Sequence, residues 1–295
     1  MTQTAFIAIV GRPNVGKSTM LNAILGEKIA IVSKKPQTTR NRITGVYTEG
    51  ECQFVFLDTP GIHRPRTKLG DFMVKTAGDT LGTSDAVILV VEPHGDVGDI
   101  EQGIISNIKK QGLGAVIVIN KTDSVNAPII AKTIEAYAAA HSFDAIIPIS
   151  AKNKKGISTV LDECRRYMSE SVWHFPEDAI TDMPERQIAA EIIREKLLRV
   201  LDDEIPHGTA VCIEEFTEEK KMIRIRAEIF CERQTHKGII IGKNGATLKT
   251  IGSYAREDLE AFLNTKVFLD LWVKVKEHWR DSELRLRTFG YKSEE

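Results

Sequence analysis

The feature that most constrains this 295-residue chain is the alternation of short apolar runs with helical patterns over residues 1–170. The runs are AFIAIV, FVFL, AVILVV, AVIVI and AIIPI, and apolar residues recur every three or four positions in segments between them, such as KSTMLNAIL. Uninterrupted Val/Ile runs predict strands buried on both faces, and their alternation with helices predicts an α/β fold with a mostly parallel sheet. Two strand patterns in NRITGVYTEGECQFVFLD are separated only by EGE, which predicts a hairpin and one antiparallel edge strand.

The alternation ends near residue 172, and a different pattern follows. HFPEDAITDMPER has Pro176 and Pro184 among acidic residues and no periodicity, so we interpret 173–184 as a linker. After it come a helical pattern, two strand patterns, two helices around IIIGKNGATL and the alternating strand KVFLDLWVKVK. This order predicts a second, α+β domain over 185–295, so that the first domain occupies 1–172.

Composition argues against several classes of protein. The chain is longer than a typical single domain, and its net charge of -1 does not point to nucleic acid or membrane as a partner. Its four cysteines form no CxxC pair, which argues against a zinc site and a disulfide framework and fits a reducing cytosol. No signal-peptide pattern is visible, and the longest apolar runs are too short to span a bilayer. We therefore expect a cytoplasmic protein.

Residues 11–18, GRPNVGKS, match the phosphate-binding pattern G-x-x-x-x-G-K-[ST] between a predicted strand and a predicted helix. The glycines of this pattern allow backbone N–H groups to surround phosphate oxygens, and the helix N-terminus adds partial positive charge. Lys17 is expected to reach the β- and γ-phosphates, and the Ser18 hydroxyl to bind Mg²⁺. The candidate nucleotide residues of this loop are Gly11, Arg12, Pro13, Asn14, Val15, Gly16, Lys17, Ser18 and Thr19.

Three later motifs indicate that the bound base is guanine. Each follows a predicted parallel strand, at the edge of the sheet where such folds bind ligands. Asp58 can hold Mg²⁺ through water, and the N–H of Gly61 can meet the γ-phosphate. Asp123 can accept both N–H groups on one edge of guanine, which adenine does not offer, and the N–H of Ala151 can meet guanine O6. The candidate residues are Asp58, Thr59, Pro60, Gly61, Ile62, Asn120, Lys121, Asp123, Ser150, Ala151 and Lys152.

In this order the motifs make residues 1–170 resemble the GTPase domain of translation-factor-type small GTPases. The segment PQTTR, at 36–40, resembles the first switch of that family. The resemblance implies that Thr39 binds Mg²⁺ together with Ser18 and Asp58 and senses the γ-phosphate. Thr38 is the alternative, because adjacent threonines leave the register open. The implied switch residues are Gln37, Thr38, Thr39, Arg40, Gly61 and Ile62.

One position departs from the pattern of many small GTPases. They place a glutamine just after the DxxG motif to orient the attacking water, whereas this chain has Ile62, which cannot do so. The chain resembles the subgroup with a hydrophobic residue there. In that subgroup the asparagine that matches Asn14 is associated with K⁺ binding, and the alternative is that Asn14 is a plain turn residue.

IIIGKNGATL, at 239–248, also places a lysine among glycines, but only two residues separate its glycines and no Ser or Thr follows the lysine. Between two helices this is the GxxG loop of a KH domain, here type II by its element order, which clamps about four single-stranded nucleotides. Residues 233–256 include five Lys and Arg and no Asp or Glu, as expected beside a phosphate backbone. The alternative is a glycine turn with a solvated basic face. Ile240 and Ile241 are expected to pack under the bases. The candidate RNA-binding residues are Lys237, Ile241, Gly242, Lys243, Asn244, Gly245, Lys249 and Arg256.

One GTPase domain followed by one KH domain resembles the Era family over essentially the whole chain, and DTPGIHRPRTKLG, the linker and VKVKEHWRDSELRLRTFGY add to the resemblance. It implies GTP hydrolysis with GTP/GDP, Mg²⁺ and K⁺ as ligands, binding of small-subunit ribosomal RNA near its 3′ end, and assistance in assembly of the small ribosomal subunit. It also implies peripheral contact with the inner face of the cell membrane, and we expect a monomer. The alternative is an RNA-binding scaffold in which GTP is structural and barely turned over, which Ile62 keeps open.

Overall fold

The structure is a computed structural model that describes residues 1–33, 35–63 and 65–291. The described chain forms two compact units. The first comprises Met1–Ala30, Thr39–Pro65 and Gly70–Asp182, and the second comprises Ile31–Thr38, Arg66–Leu69 and the chain from Met183 onward. Two short segments of the N-terminal half thus cluster with the C-terminal residues, which the sequence does not predict.

The first unit contains a sheet of seven strands with helices in the crossovers. The strands are β1 (Gln3–Val10), β2 (Ile43–Glu49), β3 (Cys52–Asp58), β4 (Ala86–Val91), β5 (Gly114–Ile119), β6 (Ala145–Pro148) and β7 (Ser169–Glu170). The helices of this half are α1 (Lys17–Leu25), α2 (Lys68–Gly82), α3 (Asp99–Gln111), α4 (Ala127–Ala140) and α5 (Ile157–Cys164). The order β2-β3-β1-β4-β5-β6 is parallel except that β2 is antiparallel to β3, and β7 pairs antiparallel with β1. The predicted parallel sheet and its antiparallel edge hairpin are therefore confirmed.

The predicted linker makes hydrogen bonds to strands β2 and β3 of the first unit. The Val46 N–H on β2 donates to the Ile180 carbonyl at 2.9 Å, and the Thr181 hydroxyl donates to the Thr44 carbonyl at 2.7 Å. The Gln53 side chain accepts the backbone N–H of His174 and donates to the carbonyl of Phe175. Ile180 and Thr181 therefore lie along β2, which among the described strands pairs with β3 alone, whereas His174 and Phe175 are bound to Gln53 on β3.

The second unit contains a three-stranded sheet with helices that share its core. Its elements are α6 (Glu185–Val200), β8 (Ala210–Glu219), β9 (Met222–Cys231), α7 (Gln234–Ile241), α8 (Ala246–Leu263), β10 (Lys266–Val275) and α9 (Glu283–Thr288). β9 is central, antiparallel to β8 and parallel to β10. Apolar residues alternate with charged ones along MIRIRAEIF in β9, and the apolar set on one face, Ile223, Ile225, Ala227 and Ile229, is buried.

Candidate nucleotide site and nucleic-acid groove

The loop at 11–16 joins β1 to α1 through two glycines that the backbone requires. Gly11 has φ 148° and Gly16 has φ 99°, a region that residues with a Cβ rarely adopt. A Cβ on Gly11 would lie 2.3 Å from the Val90 carbonyl oxygen, and a Cβ on Gly16 would lie 2.2 Å from Nδ2 of Asn120. Because α1 begins at Lys17, its unpaired N–H groups face this loop, which is the arrangement that binds phosphate.

Three oxygen-bearing side chains meet beside this loop. Ser18 Oγ donates to Asp58 Oδ2 at 2.6 Å and lies 2.9 Å from Thr39 Oγ1. Asp58 is fully buried, and within the described residues its Oδ1 has no hydrogen-bond partner. Two hydroxyls and a buried carboxylate with an unused oxygen form a donor set of the kind that Mg²⁺ prefers. The residues predicted for Mg²⁺ thus fit that ion.

The geometry also separates the two adjacent threonines. The Thr38 hydroxyl donates to the Lys35 carbonyl at 2.7 Å and is used within its own loop. Thr39 is buried, and its hydroxyl is the one beside Ser18. The contacts therefore support Thr39 rather than Thr38 as the candidate ligand.

Lys17 and Asp58 are both buried, and burial disfavours the charge that each carries. Burial lowers the pKa of Lys17 to about 8, and the nearby Asp58 carboxylate opposes that change. Burial raises the pKa of Asp58 to about 6, against the effects of Lys17 and the Ser18 hydroxyl. The ammonium of Lys17 donates to the carbonyls of Gly11 (3.2 Å) and Arg12 (3.0 Å). A bound triphosphate and a divalent cation would favour the charged form of each group.

The residues predicted to read the base come together at the carboxyl ends of β5 and β6. Ser150 Oγ donates to Asp123 Oδ1 at 2.6 Å, and this hydrogen bond lowers the pKa of Asp123. The carboxylate therefore stays ionised and is held in one orientation, as an acceptor for two donors on a ligand should be. Lys121, with φ 62°, donates to the Asn14 carbonyl at 2.6 Å and pairs with Glu92.

Asn120 makes two hydrogen bonds within the protein. Its Nδ2 donates to the Val15 carbonyl at 2.9 Å, and its Oδ1 accepts the N–H of Ala151 at 3.0 Å. The side chain therefore links the phosphate-binding loop at 11–16 to the loop of residues 150–152, Ser-Ala-Lys. The Ala151 N–H, predicted to meet guanine O6, is already used here, so a contact with O6 would share or replace that hydrogen bond.

The DxxG segment lies directly against the phosphate loop. A Cβ on Gly61 would lie 2.7 Å from both N and Cα of Pro13, and the Ile62 N–H donates to the Gly11 carbonyl at 3.1 Å. The Ile62 side chain is half-buried and packs against the core between the sheet and its helices. Ile62 is thus anchored in the protein and offers no group that could orient water.

The other residues predicted for the nucleotide site differ in their contacts and in their exposure to solvent. Arg12 pairs with the buried carboxylate of Glu101 on α3, so its side chain is committed to that helix. Thr59 donates from its hydroxyl to the Ile9 carbonyl at 2.8 Å. Asn14 is exposed with φ 66°, and Gln37 has φ 58°. The remaining members are buried (Val15, Arg40, Pro60), half-buried (Thr19) or exposed (Lys152).

The GxxG loop makes a single turn between α7 and α8, and its two glycines differ. Gly242 has φ 73°, and a Cβ there would lie 2.2 Å from the Thr247 hydroxyl oxygen, so the fold itself requires glycine. Gly245 has φ 78°, but a Cβ there would meet no described atom within 4 Å. Asn244 adopts φ 52°, and Lys243 begins the turn. Gly245 therefore leaves an open approach to the backbone at the start of α8.

A groove of about 540 Å³ lies between α8 and β10 and begins at Gly245. Its floor is apolar, and Lys249 and Arg256 of α8 supply its cationic lining. Lys237 and Ile241, predicted to bind RNA, are not among its lining residues. Ile240 corrects a prediction: it is fully buried in the core, because the inward face of α7 packs on α8 and the sheet, so it cannot contact a base. The apolar floor comes from Leu248, Val267, Leu269 and Leu271.

Sequence reasoning missed one residue that lines the groove and two that contact residues of the nucleotide site. Phe268 lines the groove, is 47% exposed, and has the Arg224 guanidinium 4.8 Å from its ring centroid. Its outward phase in KVFLDLWVKVK is a signal that could have identified it. Glu101, which pairs with Arg12, and Arg194 on α6, which donates to the Thr38 carbonyl, gave no such signal, since charged residues in a helical pattern are usually solvated.

Comparison with known proteins gives a match for each half of the chain. A family model described as 50S ribosome-binding GTPase matches residues 6–121, and a KH domain model matches residues 204–280. GTPase Era of Ruminiclostridium cellulolyticum is 49% identical over 99% of this chain and 98% of its own length, and GTPase Era of Clostridium novyi is 48% identical over 99% and 100%.

Two solved structures extend the similarity to three dimensions. One is Era in complex with MgGDPNP and nucleotides 1506–1542 of 16S ribosomal RNA, with a TM-score of 0.95 and 39% identity over 99% of this chain and 100% of that chain. The other is a variant of Aquifex aeolicus Era bound to GDP·AlF4⁻, with the same score, identity and coverage. With its phosphate loop, base-reading motifs and GxxG groove in these places, the chain belongs to the Era family of GTPases.

Proposed function

We propose that this GTPase binds the 3′ region of small-subunit ribosomal RNA in the groove between α8 and β10 and assists assembly of the small ribosomal subunit. The observation that carries the proposal is the open backbone at Gly245, which leads into a groove with an apolar floor and two cations, Lys249 and Arg256. Single-stranded RNA offers phosphates to the loop and flat bases to such a floor. The Era structure that contains 16S ribosomal RNA gives the RNA class.

Within this proposal the nucleotide site acts as a switch. GTP orders the two loops that carry Thr39 and Gly61, since these residues would meet the Mg²⁺ ion and the γ-phosphate. Ser18, Thr39 and Asp58 would hold Mg²⁺, and the ion neutralises charge on the phosphates during transfer to water. Hydrolysis releases the two loops, so the affinity for RNA differs between the GTP and GDP forms.

Asn14 would hold K⁺, which would supplement the stabilisation of transition-state charge in a site where Ile62 offers no group to orient water. GTP hydrolysis is then expected to be faster in K⁺ than in Na⁺ at equal ionic strength. Asn14→Ala should remove most of that difference and leave GTP binding in place, because Lys17 and the loop N–H groups remain. A parent protein that hydrolyses GTP equally fast in both salts would contradict the K⁺ proposal.

Crosslinking tests the RNA proposal directly. The full-length protein is crosslinked to small-subunit ribosomal RNA, and the attached nucleotides and peptides are mapped in the GTP and GDP forms. We expect crosslinks from the 3′-terminal nucleotides to peptides of α8 and β10. Crosslinks spread over the RNA, or confined to other faces of the protein, would overturn the assignment.

The remaining proposals concern the whole protein in the cell. A cytoplasmic location is supported by the cysteine pattern, and peripheral contact with the inner membrane face is supported only by the resemblance to the Era family. We also propose that the protein is a monomer. Within the described residues, no helix has both the length and the apolar character needed to cross a bilayer. Fractionation and sedimentation of the tagged protein would test location and oligomeric state.

A further inference from the structure

One turn of α6 holds the segment Ile31–Thr38, which belongs to the same compact unit. The Val32 N–H donates to Glu195 Oε1 at 2.9 Å, and the Arg194 guanidinium donates to the Thr38 carbonyl. Lys35 donates to the Leu201 carbonyl just beyond the helix end. These contacts fix the course of a segment whose described residues, 31–33 and 35–38, have no helix or strand.

The Arg194 side chain is also held by a second group, the Glu191 carboxylate on the same helix. It is 1% exposed, and its Nε and Nη2 atoms donate to the two oxygens of Glu191 at 2.9 and 2.6 Å. A two-point pair with a carboxylate orients the planar guanidinium and leaves few conformations open to it. The same Nη2 atom then donates to Thr38, so the carbonyl is held by a rigid donor.

The position of that carbonyl bears directly on the nucleotide site. The oxygen of Thr38 belongs to the planar peptide group that joins Thr38 to Thr39, so fixing it also fixes the nitrogen and Cα of Thr39. Thr39 is the residue whose hydroxyl lies 2.9 Å from Ser18 Oγ. A side chain on α6 therefore restrains the backbone that carries a candidate Mg²⁺ ligand.

We propose that Arg194 is a positioning residue for GTP hydrolysis: by holding the Thr38 carbonyl it places the Thr39 hydroxyl for Mg²⁺ and the γ-phosphate. The inference rests on the proposed assignment of Thr39 as a metal ligand. Arg194 touches neither nucleotide nor metal in this scheme. Its effect is therefore confined to the GTP form, in which Thr39 is engaged, and it does not contribute to the affinity for GDP.

The test uses full-length Arg194→Met, with Arg186→Met as the matched control. Arg186 lies on the same helix and also donates to backbone carbonyls, those of Ile213 and Glu214, but these belong to β8 and not to the segment before Thr39. Arg194→Met should lower kcat for GTP about tenfold, the order expected for loss of a charged hydrogen bond. It should also raise the Mg²⁺ concentration at half-maximal rate, with GDP affinity unchanged, whereas Arg186→Met should change none of the three.

Two further variants keep the inference falsifiable. Arg194→Lys retains the charge with one compact donor group, so it should restore part of kcat if Arg194→Met folds poorly. If Arg194→Met melts at a lower temperature but keeps the parent's kcat and Mg²⁺ dependence, Arg194 is only structural and the inference is wrong. Thr39→Ala separates the two levels of the argument. If it leaves the Mg²⁺ dependence unchanged, the ligand assignment itself fails; if it alters that dependence and Arg194→Met does not, only the role of Arg194 fails.

Discussion

Asn120 uses both ends of its amide within the protein, at a position where sequence reasoning predicts a contact with the nucleotide. It is 2% exposed and joins the Val15 carbonyl to the Ala151 N–H, two backbone groups that are far apart along the chain. At the residue scale the site is therefore a set of loops that hold one another. The Ala151 N–H, a candidate contact of the base, is held by a side chain from another loop.

Asn120→Ala should weaken both nucleotide binding and the fold. It leaves the Val15 carbonyl and the Ala151 N–H without their partner, which costs about 1–3 kcal/mol for buried polar groups. Urea unfolding and GDP titration would measure the two effects. Asn126→Ala is the control, since it removes only an exposed cap contact to Ile129 at the start of α4 and should leave GDP affinity unchanged. Equal losses in the two variants would contradict a specific role for Asn120.

Asp123→Asn should change which base is bound. The amide would oppose the donors of guanine but can donate to the 2-oxo group of xanthine, so guanine nucleotide affinity should fall by about 1–3 kcal/mol and xanthine nucleotide affinity should rise. Ser150 remains in place to orient the new side chain at the position of the carboxylate. Competition binding with GDP, XDP and ADP gives the result. Equal affinity of the parent for guanine and adenine nucleotides would refute the assignment.

Sequence patterns place the candidate segments of the nucleotide site in the fold, because each segment follows a recognisable strand. Four candidate segments follow strands in a fixed order: GRPNVGKS (11–18), DTPG (58–61), NKTD (120–123) and SAK (150–152). The structure brings all four to one edge of the sheet. Sequence patterns fail where tertiary contacts decide whether an apolar residue is buried or lines a groove. Ile240 is an example, since the pattern around it fits both positions. The buried charges of α6 were also out of reach, because three consecutive charged residues, Arg194, Glu195 and Lys196, ordinarily mark a solvated face.

At the scale of elements, the two glycine loops use glycine for different purposes. In the first loop both glycines avoid collisions with backbone or buried side-chain atoms, so the loop could not close otherwise. In the second, Gly242 has that role, whereas Gly245 faces open space at the N-terminus of α8. A change at Gly245 should therefore alter what can approach the loop without disturbing the packing beneath it.

Gly245→Asp should abolish RNA binding and leave GTP binding intact. The new carboxylate would oppose the phosphate backbone at its point of closest approach. Gly245→Asn is the matched control, because asparagine has nearly the same shape and tolerates positive φ but carries no charge. We expect weak RNA binding for Gly245→Asn and none for Gly245→Asp, measured by titration of 3′-end fragments at two salt concentrations. Parent-like binding by Gly245→Asp would mean that the loop is only a turn between helices.

Helix α6 contacts two other parts of its unit, the segment Ile31–Thr38 and helix α8. Beside Arg194 and Glu195, which hold the segment Ile31–Thr38, Lys196 pairs with Glu195 at 2.8 Å and with Asp258 on α8. Buried charges are costly unless each one has a partner, so this turn is stable only while all its contacts are made. The helix that follows the GxxG loop and the segment that precedes Thr39 thus share one charged support.

At the scale of the whole molecule, family membership decides an alternative that the sequence left open. A scaffold that merely stores GTP is not what this chain is, since it is a GTPase of the Era family over 99% of its length. Ile62 therefore does not by itself argue against GTP hydrolysis.

The segment 173–182 has a consequence for the N-terminal unit as a separate fragment. Its last residues lie beside β2, where the Ile180 carbonyl accepts the Val46 N–H and the Thr181 hydroxyl donates to the Thr44 carbonyl. An uncovered strand edge of this kind is a template for pairing with another chain. A fragment that ends at residue 172 should therefore self-associate as its concentration rises, whereas one that ends at residue 182 should stay monomeric in analytical ultracentrifugation. If both fragments sediment alike, the edge is protected by other means. If they differ, this stretch of proline and acidic residues acts as a built-in guard against aggregation.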